Sequence, residues 1–483
     1  MKKIIQGLLA VAAATSASLE ATSTNKTFMA DRGTLSNNVL MSRASGRACK
    51  GKKDGMGANI SVTGFGRVTY KDSDIAKYFG TGTNALPDGA ITVSAYPATT
   101  STGALSKYIE PLHTLANGSL GGVVNMVPRR IEAGAQIGWT QSLSKFVKGL
   151  SFSVEAPIVY VRTEMRATYS PETASTEVTS NNNLSNYFQG TFVKTGSSTT
   201  PYLAALANQT IPATFTSLTG VADVGVTLSY RFVREKAYSF GAHIYGQVPT
   251  GSKNTGVVVF EPSYGRRNFF LGAGLDGRFN LWKSEDKASA LNFEAWGRYS
   301  YGFSAADVRT LGLYSVANGS VAAGQYYGTF IVGDTHASPL ANLSTLAVSV
   351  EPRSRLEAVA GLAYRYNRMT VNVAYNFFYA QKENVTLTPT WNEATSAITG
   401  SAVTGNVSTA LVLAPADLSG TYALDLAACT TPAQVIHKVG GNVGYRFDTS
   451  VPMYVRAGGE IDVTANNQAL STWAVFGKFG FCF

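Results

Sequence analysis

The side chains able to carry chemistry are few, and their spacing suits none of the common catalytic arrangements. Gly272-Ala-Gly274-Leu-Asp-Gly277 has the glycine spacing of a dinucleotide loop. That loop must lead from a strand into a helix, whereas here the alternation of apolar and polar residues runs on through Phe279 and Leu281. Gly246 to Lys253 resembles a phosphate-cradling loop in content, but it ends Gly-Ser-Lys and contains Pro249, so it is read as the mouth of a loop. Ser142-Leu-Ser-Lys145 has the serine–lysine spacing of an acyl-transfer nucleophile without its companion motifs. Of the four histidines, His113, His243, His336 and His437, only His243 falls inside a predicted strand, facing inward with Thr227 expected across from it. No serine or aspartate pattern accompanies it, as an activated nucleophile would require. The three cysteines, Cys49, Cys429 and Cys482, fit no zinc site. Neither an enzyme, nor a cofactor, nor a metal centre is expected.

Composition narrows the class further. Of 483 residues only 14% are charged and 11% are aromatic, with 48 glycines. An ordinary soluble domain is about 25% charged. Helical membrane proteins need runs of about 20 apolar residues, and none occurs beyond the first 17 positions. Lys2 and Lys3, an apolar stretch from Ile4 to Ala14 and the small residues Thr15 to Ser18 have the layout of a secretory signal peptide. Residues 1–21 are assigned to it, so the mature chain is exported. Despite a net charge of +10, nucleic acid is not an expected partner of an exported chain.

From Asn59 onward the dominant period is two, the signature of strands. Twelve segments show it: 59–70, 131–140, 149–160, 223–232, 238–248, 268–281, 289–301, 355–366, 369–380, 438–447, 453–463 and 472–483. Each has about the 9–11 residues that cross a bilayer as a tilted strand. Their apolar faces carry no charged residue, while the opposite faces carry eighteen, eight acids and ten bases. Aromatics gather at the ends of the apolar faces. Tyr230, Phe232, Tyr238, Phe240, Tyr364, Tyr366, Tyr445 and Phe447 flank short turns, and Tyr160, Tyr299, Tyr301, Phe377, Tyr379 and Trp473 lie at the other ends. Amphipathic rings at two levels are the girdles of a membrane barrel. The connections alternate as well: turns of eight residues or fewer are followed by loops at 71–130, 161–222, 249–267, 302–354, 381–437 and 464–471.

On these features residues 59–483 resemble a bacterial outer-membrane β-barrel, porin-like in the broad sense. The resemblance implies an all-β fold: a transmembrane antiparallel up-and-down barrel of about 12 strands, with short periplasmic turns and long extracellular loops. Fourteen is the alternative count, because Ile91 to Tyr96 and Leu120 to Val127 could add a hairpin. It also implies location in the outer membrane of a Gram-negative-type bacterium, contact with its lipid, and an oligomer as an open option. Phe479, Phe481 and terminal Phe483 resemble the signal read by the barrel-insertion machinery, although the glycine preferred six residues from the end is displaced to Gly477.

The inward charges then become the candidate site. Arg231, Arg278, Arg365, Arg446 and Arg456 fall near the turns, whereas Glu132, Asp223, Glu357 and Asp462 fall near the outer ends with Arg355 and Lys438. Symmetric hairpins would set Lys438 opposite Asp462. They would also set Asp276 opposite Glu294, with Arg278 and Arg298 nearby. Arg231, Arg278, Arg298, Arg365, Arg446, Arg456, Asp276, Glu294 and Glu460 are the candidates for a charged constriction. Residues 22–58, basic from Arg43 to Lys53, are read as a periplasmic tail or a plug, and Cys49 and Cys482 as a disulfide tying them to the barrel floor. The expected function is a channel for passive diffusion of small hydrophilic solutes through a narrow charged lumen. The competing reading is a surface structural or adhesion protein whose barrel displays long loops.

Overall fold

The computed structural model describes residues 26–33, 56–79, 90–93, 122–171, 184–192, 202–286, 288–315, 320–321, 329–332, 336–388, 398–404, 407–413, 422–447 and 449–483. The signal segment 1–21, the basic run Arg43 to Lys53 and Cys49 lie outside the described residues.

The chain forms a closed antiparallel barrel of twelve strands. These are β1 (Ala58–Thr69), β2 (Arg129–Ser142), β3 (Leu150–Glu164), β4 (Val224–Arg234), β5 (Tyr238–Val248), β6 (Phe270–Lys283), β7 (Ser289–Gly302), β8 (Arg353–Tyr366), β9 (Met369–Ala380), β10 (Gln434–Phe447), β11 (Met453–Thr464) and β12 (Thr472–Cys482). Each pairs with its neighbours in the chain, and β1 closes the ring on β12 from Asn59↔Cys482 to Thr69↔Thr472. All twelve predicted segments are strands. The hairpin weighed as a source of fourteen does form, Ala90–Val93 against Gly122–Asn125, but it joins Thr168–Pro171 in a separate three-stranded sheet. The barrel count is therefore twelve.

Side-chain direction follows the charge split. Leu275, Ile244, Val373 and Val475 point outward and are 65%, 58%, 58% and 54% exposed, which places them against hydrocarbon. The insertion-signal candidates share that face, with Phe479 and Phe483 exposed and the Phe481 ring 5.9 Å from that of Phe483. Two irregularities shift the registers assumed from symmetric hairpins. A bulge between Phe240 and Ala242 sets His243 opposite Ser229 rather than Thr227. Another between Asn280 and Trp282 sets Asp276 opposite Trp296 and Arg278 opposite Glu294. The expected Asp276–Glu294 confrontation does not exist, because one extra residue moves the pairing and replaces like charges by opposite ones. Strand β3 changes partner midway. Leu150–Glu155 pair with β4 and Ile158–Thr163 with Thr216–Val221, and the change falls around Pro157, which has no N–H to give the ladder. Strand β10 begins at Gln434, so His437 also lies in a strand, facing outward with its Nδ1 2.6 Å from the Tyr375 hydroxyl.

At the loop end the described connections build a cap with an apolar core of its own. Tyr78 and Phe79 of the helix α1 (Asp72–Phe79), Tyr187 and Phe188 of α2 (Leu184–Phe188), Phe192, Val259 and Phe260 pack together with Met29. At the turn end Cys482 is disulfide-bonded, and Cys429, in a loop, is a buried free thiol.

Two outcomes check this architecture. Leu275→Arg should lower the unfolding free energy of the barrel in lipid vesicles by about 2–4 kcal/mol; an unchanged urea midpoint would mean that this face is not in hydrocarbon. A bridge between Cys49 and Cys482 gives one alkylated thiol in the denatured chain before reduction and three after, read as intact mass.

Candidate functional site

The lumen is lined by the inward faces of the strands, and at its loop end these present charges that are buried, except for the partly buried Arg298. Arg67 comes from β1, Arg130 and Glu132 from β2, Arg298 from β7, Glu357 from β8, Lys438 from β10, and Glu460 and Asp462 from β11. Arg130 Nη2 lies 2.6 Å from Glu132 Oε1, and Arg67 also donates to Glu132. Across the barrel Arg298 lies 3.0 Å from Glu357. Lys438 is 3.5 Å from Asp462, the expected pair, and closer still, at 2.6 Å, to Glu460.

Residues 26–33 run from the cap into this ring of charge. The Lys26 amide donates to the Tyr78 carbonyl and the Thr27 amide to that of Ala428, each at 3.0 Å. Deeper in, Gln434 Nε2 donates to the Ala30 carbonyl at 3.1 Å and Arg266 Nε to the Asp31 carbonyl at 2.7 Å. The next two side chains reach opposite walls, as successive residues of an extended chain do. Asp31 accepts from Arg67 Nη2 at 3.0 Å, with Arg130 Nη2 at 3.6 Å. Arg32 donates to Glu357 at 3.0 Å and to Asn376, with Asp462 at 3.5 Å, and its guanidinium lies 4.6 Å from the centre of the Phe378 ring. Burial alone would raise the Asp31 pKa, but Arg67 and Arg130 outweigh it and hold the carboxyl well below the usual carboxylate range. This part of the N-terminal segment therefore sits at the loop end of the lumen, not at the periplasmic turn end.

Beneath this level aromatic rings narrow the lumen. The Arg298 guanidinium lies 3.8 Å from the Tyr245 ring centre and 5.2 Å from that of Trp296, and the Trp296 and His243 rings stack at 5.9 Å. Gly274 makes the stack possible, since a Cβ there would stand 2.4 Å from the His243 ring. The dinucleotide-like glycines thus serve close packing inside a strand. Further toward the turns, the small inward residues Gly361, Ala363, Ala374 and Gly440 leave a cavity of about 70 Å³, bordered by Asp276, Glu294, Trp296, Asn372, Asn442 and Phe476.

The structure divides the nine predicted constriction residues. Arg231 lies 3.3 Å from Asp276, and Arg278 lies 3.9 Å from Glu294, so these four form one group beside the cavity. Arg298 and Glu460 belong to the loop-end network instead. Arg456 donates to Asn442 at 3.3 Å, Arg446 is half-buried, and Arg365 is exposed at the turn end. Asp31, Arg32 and Asn376 were not anticipated. The available signal was the isolated Asp31-Arg32-Gly33 in an otherwise weakly charged stretch.

An Asp31→Asn change leaves Arg67 and Arg130 sharing Glu132 alone, and loss of one partner from a buried pair costs about 3–5 kcal/mol. Hydrogen exchange of residues 26–33 should rise accordingly. Because the folded Asp31 pKa is depressed, its stabilisation is complete above the unfolded carboxylate value of about 3.9 and is lost as pH falls below it. Protection of residues 26–33 should thus be flat from pH 5 to 8 and fall in stronger acid. A loss between pH 6 and 7 would contradict the ion-pair assignment.

No protein-family model and no curated protein matches the chain. Among solved structures it is similar to an outer-membrane channel from Pseudomonas putida F1 (10% identity, 90% of this chain and 100% of that one, TM-score 0.37). It is also similar to the toluene transporter TodX of Pseudomonas putida (9% identity, 95% and 94%, TM-score 0.34). A third likeness is to the translocator domain of the autotransporter NalP from Neisseria meningitidis (7% identity, 92% and 94%, TM-score 0.32). Closed barrel, outward apolar belt and polar interior give the chain the architecture of a transmembrane β-barrel.

Proposed function

We propose that the protein is a gated outer-membrane channel for small polar solutes, closed in this conformation by residues 26–33. The observation that carries the reading is the two-residue bridge: Asp31 bound to Arg67 on one wall and Arg32 bound to Glu357 on the other. A lumen spanned in this way and capped by packed loops is not a freely open pore, so simple passive diffusion gives way to a channel that must first release its N-terminal segment. The charged and amide side chains of the lumen support polar solutes, because an apolar one would gain nothing from displacing their bound water. Phe479, Phe481 and Phe483 are proposed as the insertion signal, supported by their common outward face.

Display of the loops on a barrel scaffold is the second reading, favoured by the aromatic core that the cap builds for itself. Planar-bilayer recording separates the two. The refolded mature chain should be mostly silent, and Asp31→Ala/Arg32→Ala should give stepwise ohmic openings. A folded variant that stays silent would favour display.

A further inference from the structure

Asp31 and Arg32 join charged groups on two parts of the barrel wall. Arg67 of β1 and Arg130 of β2 share the carboxylate of Glu132 and both face Asp31. Glu357 of β8 accepts from Arg32 and from Arg298, with Asp462 of β11 3.5 Å from Arg32. Strands β2 and β8 are six apart either way round the ring of twelve, so Glu132 and Glu357 stand on facing walls. Asp31 thus supplies a second carboxylate to one pair of guanidinium groups, and Arg32 a second guanidinium to the facing carboxylate.

We propose that Asp31 and Arg32 occupy a binding subsite for a small solute that carries both a carboxylate and a guanidinium or ammonium group, such as a basic amino acid or a short peptide. The inference rests on the channel reading above and names the class of solute that would take the vacated place. The cationic half of the subsite is the better defined. Asn376, fully buried, donates to Glu357 at 3.2 Å while accepting from Arg32, and the Phe378 ring lies beneath the guanidinium at 4.6 Å. A planar cation against a ring, with a carboxylate and an amide oxygen at its edge, uses the preference of guanidinium for stacked and forked contacts. The carboxylate half offers Arg67 and Arg130, already oriented by Glu132. A solute with one charge would restore the contacts of only one of the two displaced side chains and leave the other partners buried without them. A solute with two opposite charges restores both.

The test uses Asp31→Asn/Arg32→Gln, which removes both charges and keeps polar side chains at both positions. L-arginine is compared with agmatine, its decarboxylated analogue, and with acetate. In bilayers the open variant should be blocked by L-arginine at a concentration about tenfold lower than by agmatine, as expected for one charge-assisted contact. Adding Arg67→Gln, which removes a partner of the carboxylate alone, should abolish the difference, whereas Glu357→Gln should weaken block by both solutes. If the variant conducts but treats the three solutes alike, the inference falls and the channel reading stands. If the folded variant does not conduct, the channel reading falls, and calorimetric titration with L-arginine decides the subsite, absence of binding overturning it. Should the variant fail to fold, the wild-type chain serves: L-arginine, and not agmatine, should speed tryptic cleavage after Arg32 by displacing the segment. Equal rates would overturn the proposal.

Discussion

Hydrocarbon offers no hydrogen bonds, so every backbone N–H and C=O that crosses it must find a partner in the protein. A sheet meets this demand only by closing, and the pairing of β1 with β12 along eleven residue pairs is that closure. Other features of the molecule follow. With both ends of the sheet joined, one face of each strand must be apolar and the other is forced inward, whatever its polarity. The interior becomes the only place where the eighteen charges of the strands can go, and there they must pair with each other or with something brought in from outside the wall.

The N-terminal segment is what is brought in. Ion pairs along neighbouring strands, such as Lys438 with Glu460 and Arg130 with Glu132, satisfy most of the interior from within the wall. The N-terminal segment adds contacts that these wall pairs do not make, a second carboxylate at Arg67 and Arg130 and a second guanidinium at Glu357. One extended dipeptide reaches both, since its alternate side chains point in opposite directions. The geometry of a strand thus reappears inside the barrel as the means of bridging it.

How much of this was legible in the sequence depended on the range of the interactions. Strand positions and faces rest on alternation within ten or so residues, and all twelve were readable, as was the Lys438–Asp462 pair across a short turn. Registers failed where a bulge intervened, at Phe240 and Ala242 and at Asn280 and Trp282, because one extra residue leaves no mark in a period-two pattern. The first residues of β10 were missed for a related reason. His437 is polar yet faces outward, tolerated by its bond to Tyr375 at girdle level. The contacts of Asp31 and Arg32 were not readable at all. They join residue 32 to residues 357, 376 and 462, and nothing local to any of the four points to the others.

A charged bridge also suits a closure that must be undone. Burying an ion pair yields little net stability, since desolvation of the two groups cancels most of their attraction, while removing one partner alone is costly. An apolar plug would have the opposite balance: it would gain free energy roughly in proportion to the area it buries, and no aqueous solute could compete with it. The bridge of Asp31 and Arg32 is therefore selective in what can replace it without being tight. Only a group that restores both pairs together can take its place, and for such a group the exchange is nearly balanced. The apolar grip on the segment is left to Met29 within the cap, outside the lumen, where it fixes the segment near its site without filling the path.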